Sequence, residues 1–163
     1  MKNLLTLIFT LLSLSLFSQR EADNWYFGRN AGLNFGTTTP TILSDGQLNT
    51  DEGCAAISDT DGNLLLYTDG VTVYNRNHTI MPNGNGLFGG TSSSQSAIIV
   101  PRPNHPNIYY VFTVDEYSAS RDGINYSEVD MNLDGGLGDI TSNKNINIIP
   151  DSEEKLAAVQ HSN

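Results

Sequence analysis

The chain has 163 residues, with 8 Lys and Arg against 18 Asp and Glu and a net charge of −10. That balance excludes a nucleic-acid binder, which needs a clustered basic footprint, and gives no attraction to anionic lipid. Cys54 is the single cysteine, so an intrachain disulfide is excluded and the fold must rest on its core or on partners.

Residues 1–18 read as a secretory signal peptide. Lys2 supplies the positive start, residues 4–17 (LLTLIFTLLSLSLF) form an uncharged apolar run, and Ser18 is a small residue before the polar Gln19-Arg20-Glu21. The run is short for a span of about 18 or more apolar residues, so cleavage is expected and no membrane span follows it. Loss of Lys2 with the leader leaves 7 basic against 18 acidic residues, a charge of −11. Such acidity suits the surface of an exported protein. The remaining residues, 19–163, suffice for a domain with a real core.

Beyond the leader the apolar runs are short, rich in Val, Ile, Tyr and Phe, and separated by Gly, Asn, Asp and Pro. That pattern predicts an all-β chain with many turns. Strands are expected at residues 25–27, 32–35, 54–58, 64–68, 72–75, 97–101, 108–114, 125–130, 146–149 and 157–160. One helical turn is allowed near Ser152 to Leu156.

Taken in order, the candidate sites are few. Trp25, Tyr26 and Phe27 form the densest aromatic cluster. They suit either a sugar-stacking platform or, as the favoured reading, a strand that closes a ring of sheets and whose partner this chain lacks. Asp51-Glu52 and Glu128 with Asp130 are the carboxylates to weigh for glycoside hydrolysis, which needs two facing acids. Nothing in the order places them across a cleft. Asp59, Asp61 and Asn63 alternate around Gly62 and offer hard oxygens to calcium. The twelfth position counted from Asp59 is Gly70, where an EF-hand-type loop needs a bidentate Glu. The favoured reading is therefore a hairpin turning on Asp61-Gly62, followed by a second turn at Asp69-Gly70. The set stands as a weak calcium candidate, with no metal or cofactor otherwise expected.

His78, His105 and His161 match no zinc spacing. His161 is the most site-like, because it follows a small-residue strand that suits a central axis. Cys54 lies in an apolar strand and reads as a small buried hydrophobe. The glycine-rich NLDGGLGDIT, residues 132–141, lacks the lysine and helix of a phosphate loop and reads as an edge loop.

The strands recur in register. Ala55-Ala56-Ile57, Ala97-Ile98-Ile99-Val100 and Ala157-Ala158-Val159 each open a unit. A period of about forty residues with four short strands describes a propeller blade. Small twisted sheets, apolar on both faces, bury them only by stacking. The divisions expected are a signal peptide at 1–18, an N-terminal strand region at 19–52, one blade at 53–94, a second with long loops at 95–154, and the opening strand of a third at 155–163.

Four stretches carry a family resemblance: NWYFGRNAGLNF (24–35), DGQLNTDEGCAAISDTDGNLLLYTDGVTVYNRNHTIMPNG (45–84), SSSQSAIIVPRPNHPNIYYVFTVD (92–115) and YSEVDMNLDGGLGDIT (126–141). They resemble the N-terminal, WD-like β-propeller region of large exported proteins of Bacteroidetes, the gliding-motility-associated or type IX secretion proteins with a type B sorting domain. The resemblance covers nearly all of the chain after the leader. It implies export to the cell surface or medium and carries no catalytic residues. Members of that family continue into further blades and a sorting domain. This sequence stops at AAVQHSN, so a piece of a longer protein is expected, periplasmic if the sorting domain is truly absent.

The function expected is a non-catalytic binding or structural module contacting protein or glycan at the surface, in adhesion or gliding. The alternative is part of an exported hydrolase acting on polysaccharide or peptide. Open blade edges and faces predict that the isolated fragment self-associates.

Overall fold

A computed structural model describes residues 20–116 and 123–159. The signal peptide at 1–18, Gln160 and His161 lie outside the described residues. The described chain is all-β: three antiparallel sheets and one short 3-10 turn, Asp134–Gly136. Among the described residues no helix is long and apolar enough to cross a membrane.

The first sheet is a meander of β1 (Asn24–Phe27), β2 (Ala31–Asn34) and β3 (Thr41–Leu43). The second runs in order through β4 (Ala55–Ser58), β5 (Leu64–Thr68), β6 (Thr72–Asn75) and β7 (Ile80–Asn85). The third runs β8 (Ala97–Pro101), β9 (Ile108–Val114) and β10 (Ile124–Asp130), and its fourth position is shared. There β11 (Asp139–Ile140) pairs with one end of β10 and β12 (Ile146–Ile149) with the other. Between them the Glu128 N–H donates to Asn143 O, so the ladder continues across the break.

The sheets stack face to face because alternation alone cannot hide their apolar residues. Tyr26 and Leu48 of the N-terminal region meet Tyr67, with Leu43, Cys54, Ala56, Leu64 and Tyr74 around them. On the other face of the second sheet Ile57, Leu66, Val73 and Met81 meet Ala97, Val111 and Val129. The second sheet is thus buried on both sides, and Leu65 to Thr68 are all buried. The first strands β1, β4 and β8 lie side by side, and so do the last strands β7 and β11.

Side chains fasten this stack at both margins. At the outer margin Asn83 donates from its backbone N–H and from Nδ2 to the two carboxylate oxygens of Asp139, each at 2.8 Å. Arg76 reaches Gly136 O, and Lys144 Nζ reaches Asn83 O and Asn85 O. At the inner margin the loop before β4 joins the loop before β8. Thr50 Oγ1 donates to Thr91 O at 2.8 Å, and Gly53 N–H donates to Ser93 O at 2.9 Å.

The β1 strand pairs with β2 along its length, Trp25 opposite Leu33, and its other edge has no ladder partner among the described strands. Other expectations need correction. No helical turn forms at Ser152 to Leu156. Residues 157–159 are exposed and not in a strand, since a strand needs a ladder partner and none of the described strands pairs there. Three strands, β3, β7 and β11, were not expected from the sequence.

Candidate functional site

The Asp59 to Asn63 turn joins β4 to β5. Gly62 sits at φ +84, a left-handed conformation that glycine adopts freely. The Asp59 carboxylate accepts the Asp61 N–H at 2.9 Å and the Asn63 N–H at 2.8 Å on Oδ1, and Asn63 Nδ2 at 3.0 Å on Oδ2. Partial burial works to raise its pKa, but these hydrogen bonds outweigh it and hold the carboxyl below its ordinary value. Its oxygens face N–H donors of its own loop, which is what a structural turn requires. Among the described residues no group of three or more His, Cys, Asp or Glu could hold a metal ion.

The same device recurs. Asp69 Oδ1 accepts from the N–H groups of Val71 and Thr72 at 2.9 and 2.7 Å. Asn75 Oδ1 accepts from the N–H groups of Asn77 and Thr79, and Asp130 Oδ1 from that of Asn132. Residues 132–138 form a tight turn into β11, with Gly136 and Gly138 at φ +90 and +88. A three-residue 3-10 turn offers no helix N-terminus to a phosphate.

Three of the four carboxylates weighed for hydrolysis, Asp51, Glu128 and Asp130, make hydrogen bonds or ion pairs with nearby side chains or loops. Glu128 accepts from Arg102 Nη1 and Thr141 Oγ1, each at 3.1 Å, and from Asn143 Nδ2 at 3.4 Å. Asp51 forms an exposed pair with Arg29 at 2.8 Å. His105 turns back on Pro103 O at 3.0 Å.

A cluster with no signature in residue spacing lies between the first and second sheets. Tyr26 stacks on Tyr67 with centroids 4.6 Å apart, and Tyr67 on Tyr74 at 5.1 Å. The Tyr67 hydroxyl accepts the Gln47 N–H at 3.2 Å and lies 3.1 Å from His78 Nδ1. His78 Nε2 lies 3.3 Å from Asp45 Oδ2, and the Tyr26 hydroxyl donates to Asp45 Oδ1 at 3.0 Å. Every group is satisfied when Tyr67 donates to Nδ1 and Nε2–H donates to Asp45. Burial pushes the Tyr67 phenol up to about 12, against a smaller opposing pull from the Gln47 N–H. Burial also raises the Tyr26 phenol, reinforced by Asp45. Both phenols therefore stay protonated at neutral pH, and the 44–48 loop is held from two sides, by Tyr26 of the first sheet donating to Asp45 and by Tyr67 of the second accepting from Gln47. Asp45 and His78 stand 33 residues apart, and no spacing rule connects them.

A cleft of about 200 Å3 with largely apolar walls lies between β1 and β4, beside this cluster. Trp25, Tyr26, Phe27, Cys54, Ala55 and Ala56 line it. Trp25 is 51% exposed, with its indole N–H given to Ala22 O at 2.8 Å and its ring tilted against Phe35 at 5.0 Å. The Cys54 thiol is pushed up by burial, with a Gly28 backbone hydrogen bond working the other way. A protonated thiol is a poor nucleophile, so Cys54 contributes shape. The Trp25 to Phe27 stretch thus divides its roles: Tyr26 turns into the core, while Trp25 offers an aromatic surface beside the cleft. Comparison with protein-family models, curated proteins and solved structures returned no match.

Proposed function

We propose that this chain is a binding or structural module of an exported protein, built as part of a β-propeller and acting by contact with protein or glycan. The observation that carries the reading is the arrangement of three meanders stacked face to face, with β1, β4 and β8 as neighbours at one margin. Propeller blades stack in that manner, first strands innermost. The recurring small residues support it: Ala55, Ala56 and Ala97 fall on the strands that crowd together. The sequence resemblance to the Bacteroidetes gliding-motility and type IX secretion proteins is what supports a location at the cell surface or in the medium. On this reading the loops and the margin near Trp25 carry recognition, since aromatic surfaces there stack on sugar faces or peptide side chains.

The test compares retention with turnover. The purified chain is passed over immobilised polysaccharides and peptides, and release of reducing ends or new amines is followed in parallel. Retention weakened by Trp25→Ala, without product, supports the module. Product release that Glu128→Gln abolishes in a still-folded chain would establish the hydrolase instead.

A further inference from the structure

Asn-Gly occurs twice in the chain, at Asn83-Gly84 and Asn85-Gly86, both at the end of β7. Such a pair can react with itself when the glycine nitrogen reaches the asparagine carboxamide, since glycine has no side chain to block the approach. The fold treats the two pairs differently. Asn83 is held: its N–H and Nδ2 donate to the two carboxylate oxygens of Asp139, each at 2.8 Å. Gly84 is buried, and a Cβ there would lie 2.7 Å from Val73 O and 3.0 Å from Met81 O, so its peptide has no room to turn. Asn85 is exposed, and its carboxamide makes no hydrogen bond to the described residues. Gly86 lies just beyond the strand, exposed, at φ +73 with open space around it. Its N–H likewise has no acceptor among the described residues. Both reacting groups are thus free in the second pair, whereas the first pair is held and enclosed.

We propose that Asn85-Gly86 is a site of spontaneous deamidation and isomerisation, placed where its conversion loosens the clasp between the second and third sheets. The Gly86 nitrogen gives its proton to hydroxide and attacks Cγ of Asn85. The N–Cγ bond forms, the Cγ–Nδ2 bond breaks, and Nδ2 takes a proton from water and leaves as ammonia. Water then opens the resulting succinimide at either carbonyl. Opening at Cγ gives aspartate. Opening at the backbone carbonyl gives isoaspartate, whose main chain runs through the former side chain and is longer by one methylene. Nothing is oxidised or reduced. Asn85 ends an edge strand, so turning its carboxamide toward Gly86 disturbs only a terminal ladder position. The clasp is built on these residues. Lys144 Nζ donates to Asn85 O, Asn145 Nδ2 donates to Gly86 O at 2.8 Å, and the Phe88 N–H donates to Asn145 Oδ1 at 3.1 Å. An added methylene between residues 85 and 86 carries Gly86 O away from Asn145. The Lys144 contact holds the Asn85 peptide in its strand conformation and so slows the reaction.

The test is to incubate the purified chain at neutral and at mildly alkaline pH for weeks, with its fold followed by circular dichroism. Peptide mapping by mass spectrometry locates the change, and an isoaspartate-specific methyltransferase marks the isomer. A gain of one mass unit at Asn85 with isoaspartate present, faster at the higher pH, is expected while Asn83 stays intact. Gly86→Ala, whose Cβ meets open space, should slow conversion at least tenfold, and Lys144→Ala should hasten it severalfold. The converted chain, separated by charge, should exchange its Phe88 amide faster than an Asn85→Asp variant, which adds the charge without the methylene. Asn85 that stays intact while a free peptide of residues 82–87 converts overturns the proposal, because the fold then shields the pair. Equal conversion of Asn83 and Asn85 overturns it too, since the Asp139 contact would then discriminate nothing. An unchanged rate in Lys144→Ala overturns the restraint, and unchanged Phe88 exchange after conversion overturns the effect on the clasp.

Discussion

Tyr67 lies between the rings of Tyr26 and Tyr74, with its hydroxyl shared between Gln47 and His78. Replacing it with Phe keeps the ring stack and removes the oxygen. The Gln47 N–H and His78 Nδ1, both partly buried, then lose their partner; a buried group left unsatisfied costs about 1–3 kcal/mol, and these two fall toward the low end of that range. Tyr67→Phe should therefore lower stability at neutral pH by roughly 2 kcal/mol, read from the urea midpoint. The alkaline limb gives a sharper test. A phenol raised to about 12 in the folded chain, against about 10 when unfolded, favours the folded state fully below pH 10. That contribution, roughly 2–3 kcal/mol from two pKa units, is lost as pH rises from 10 through 12. The Phe variant should lose less stability over that interval, and an unchanged slope would show that Tyr67 does not titrate as described. The Asp-Gly pairs were readable from sequence, because a carboxylate capping its own loop is a local event. The Asp45–His78–Tyr67 chain was not, because it joins loops distant in sequence through a ring stack that exists only after two sheets meet.

Turn chemistry also explains which strands could be read. The strands at 64–68, 72–75, 97–101, 108–114 and 146–149 fall on the expected residues because Gly, Asn, Asp or Pro bounds them. The β7 strand, IMPNGN, was hidden by its own composition: Pro82 and two Asn-Gly pairs read as turn. It lies at the sheet edge, where proline costs no ladder hydrogen bond. The β3 and β11 strands, at three and two residues, are too short for any period to register. The turns themselves differ in what they tolerate. Gly70 has φ +87, and a Cβ there would lie 1.9 Å from Ser96 Oγ on the lead-in to β8. Gly86 has φ +73 and open space around it. Gly86→Ala should cost only the left-handed backbone penalty, about 1 kcal/mol. Gly70→Ala adds a collision between the second and third sheets and should cost at least about 3 kcal/mol. Denaturant midpoints of the two variants check the order, and equal losses would show that the lead-in to β8 yields freely.

At the scale of the molecule, the repeat of small opening strands signalled a stack of sheets, but not which faces are buried. That depends on neighbours, and the sequence of β5, LLLYT, looks the same whether one face or both are covered. Here both are, with Leu66 in the core shared with the third sheet and Tyr67 in the core shared with the first. The second sheet should consequently be the last to open. Its interior amides can exchange only when both neighbours have moved, whereas β3 has one free edge and an exposed Ile42. Native-state hydrogen exchange should rank the amides of Leu66 and Tyr67 at the global unfolding free energy and those of β3 well below it. Leu66→Ala tests the same asymmetry from inside. It opens a cavity between the second and third sheets and should cost about 2–5 kcal/mol, lowering protection in β8 to β10 along with β5. The Tyr26–Tyr67 stack is untouched by that change, so residual protection of the first sheet on β4 should fall less. If β1 and β9 lose protection equally, the three sheets unfold as one unit, and the two cores cannot be treated as separable parts of the stack.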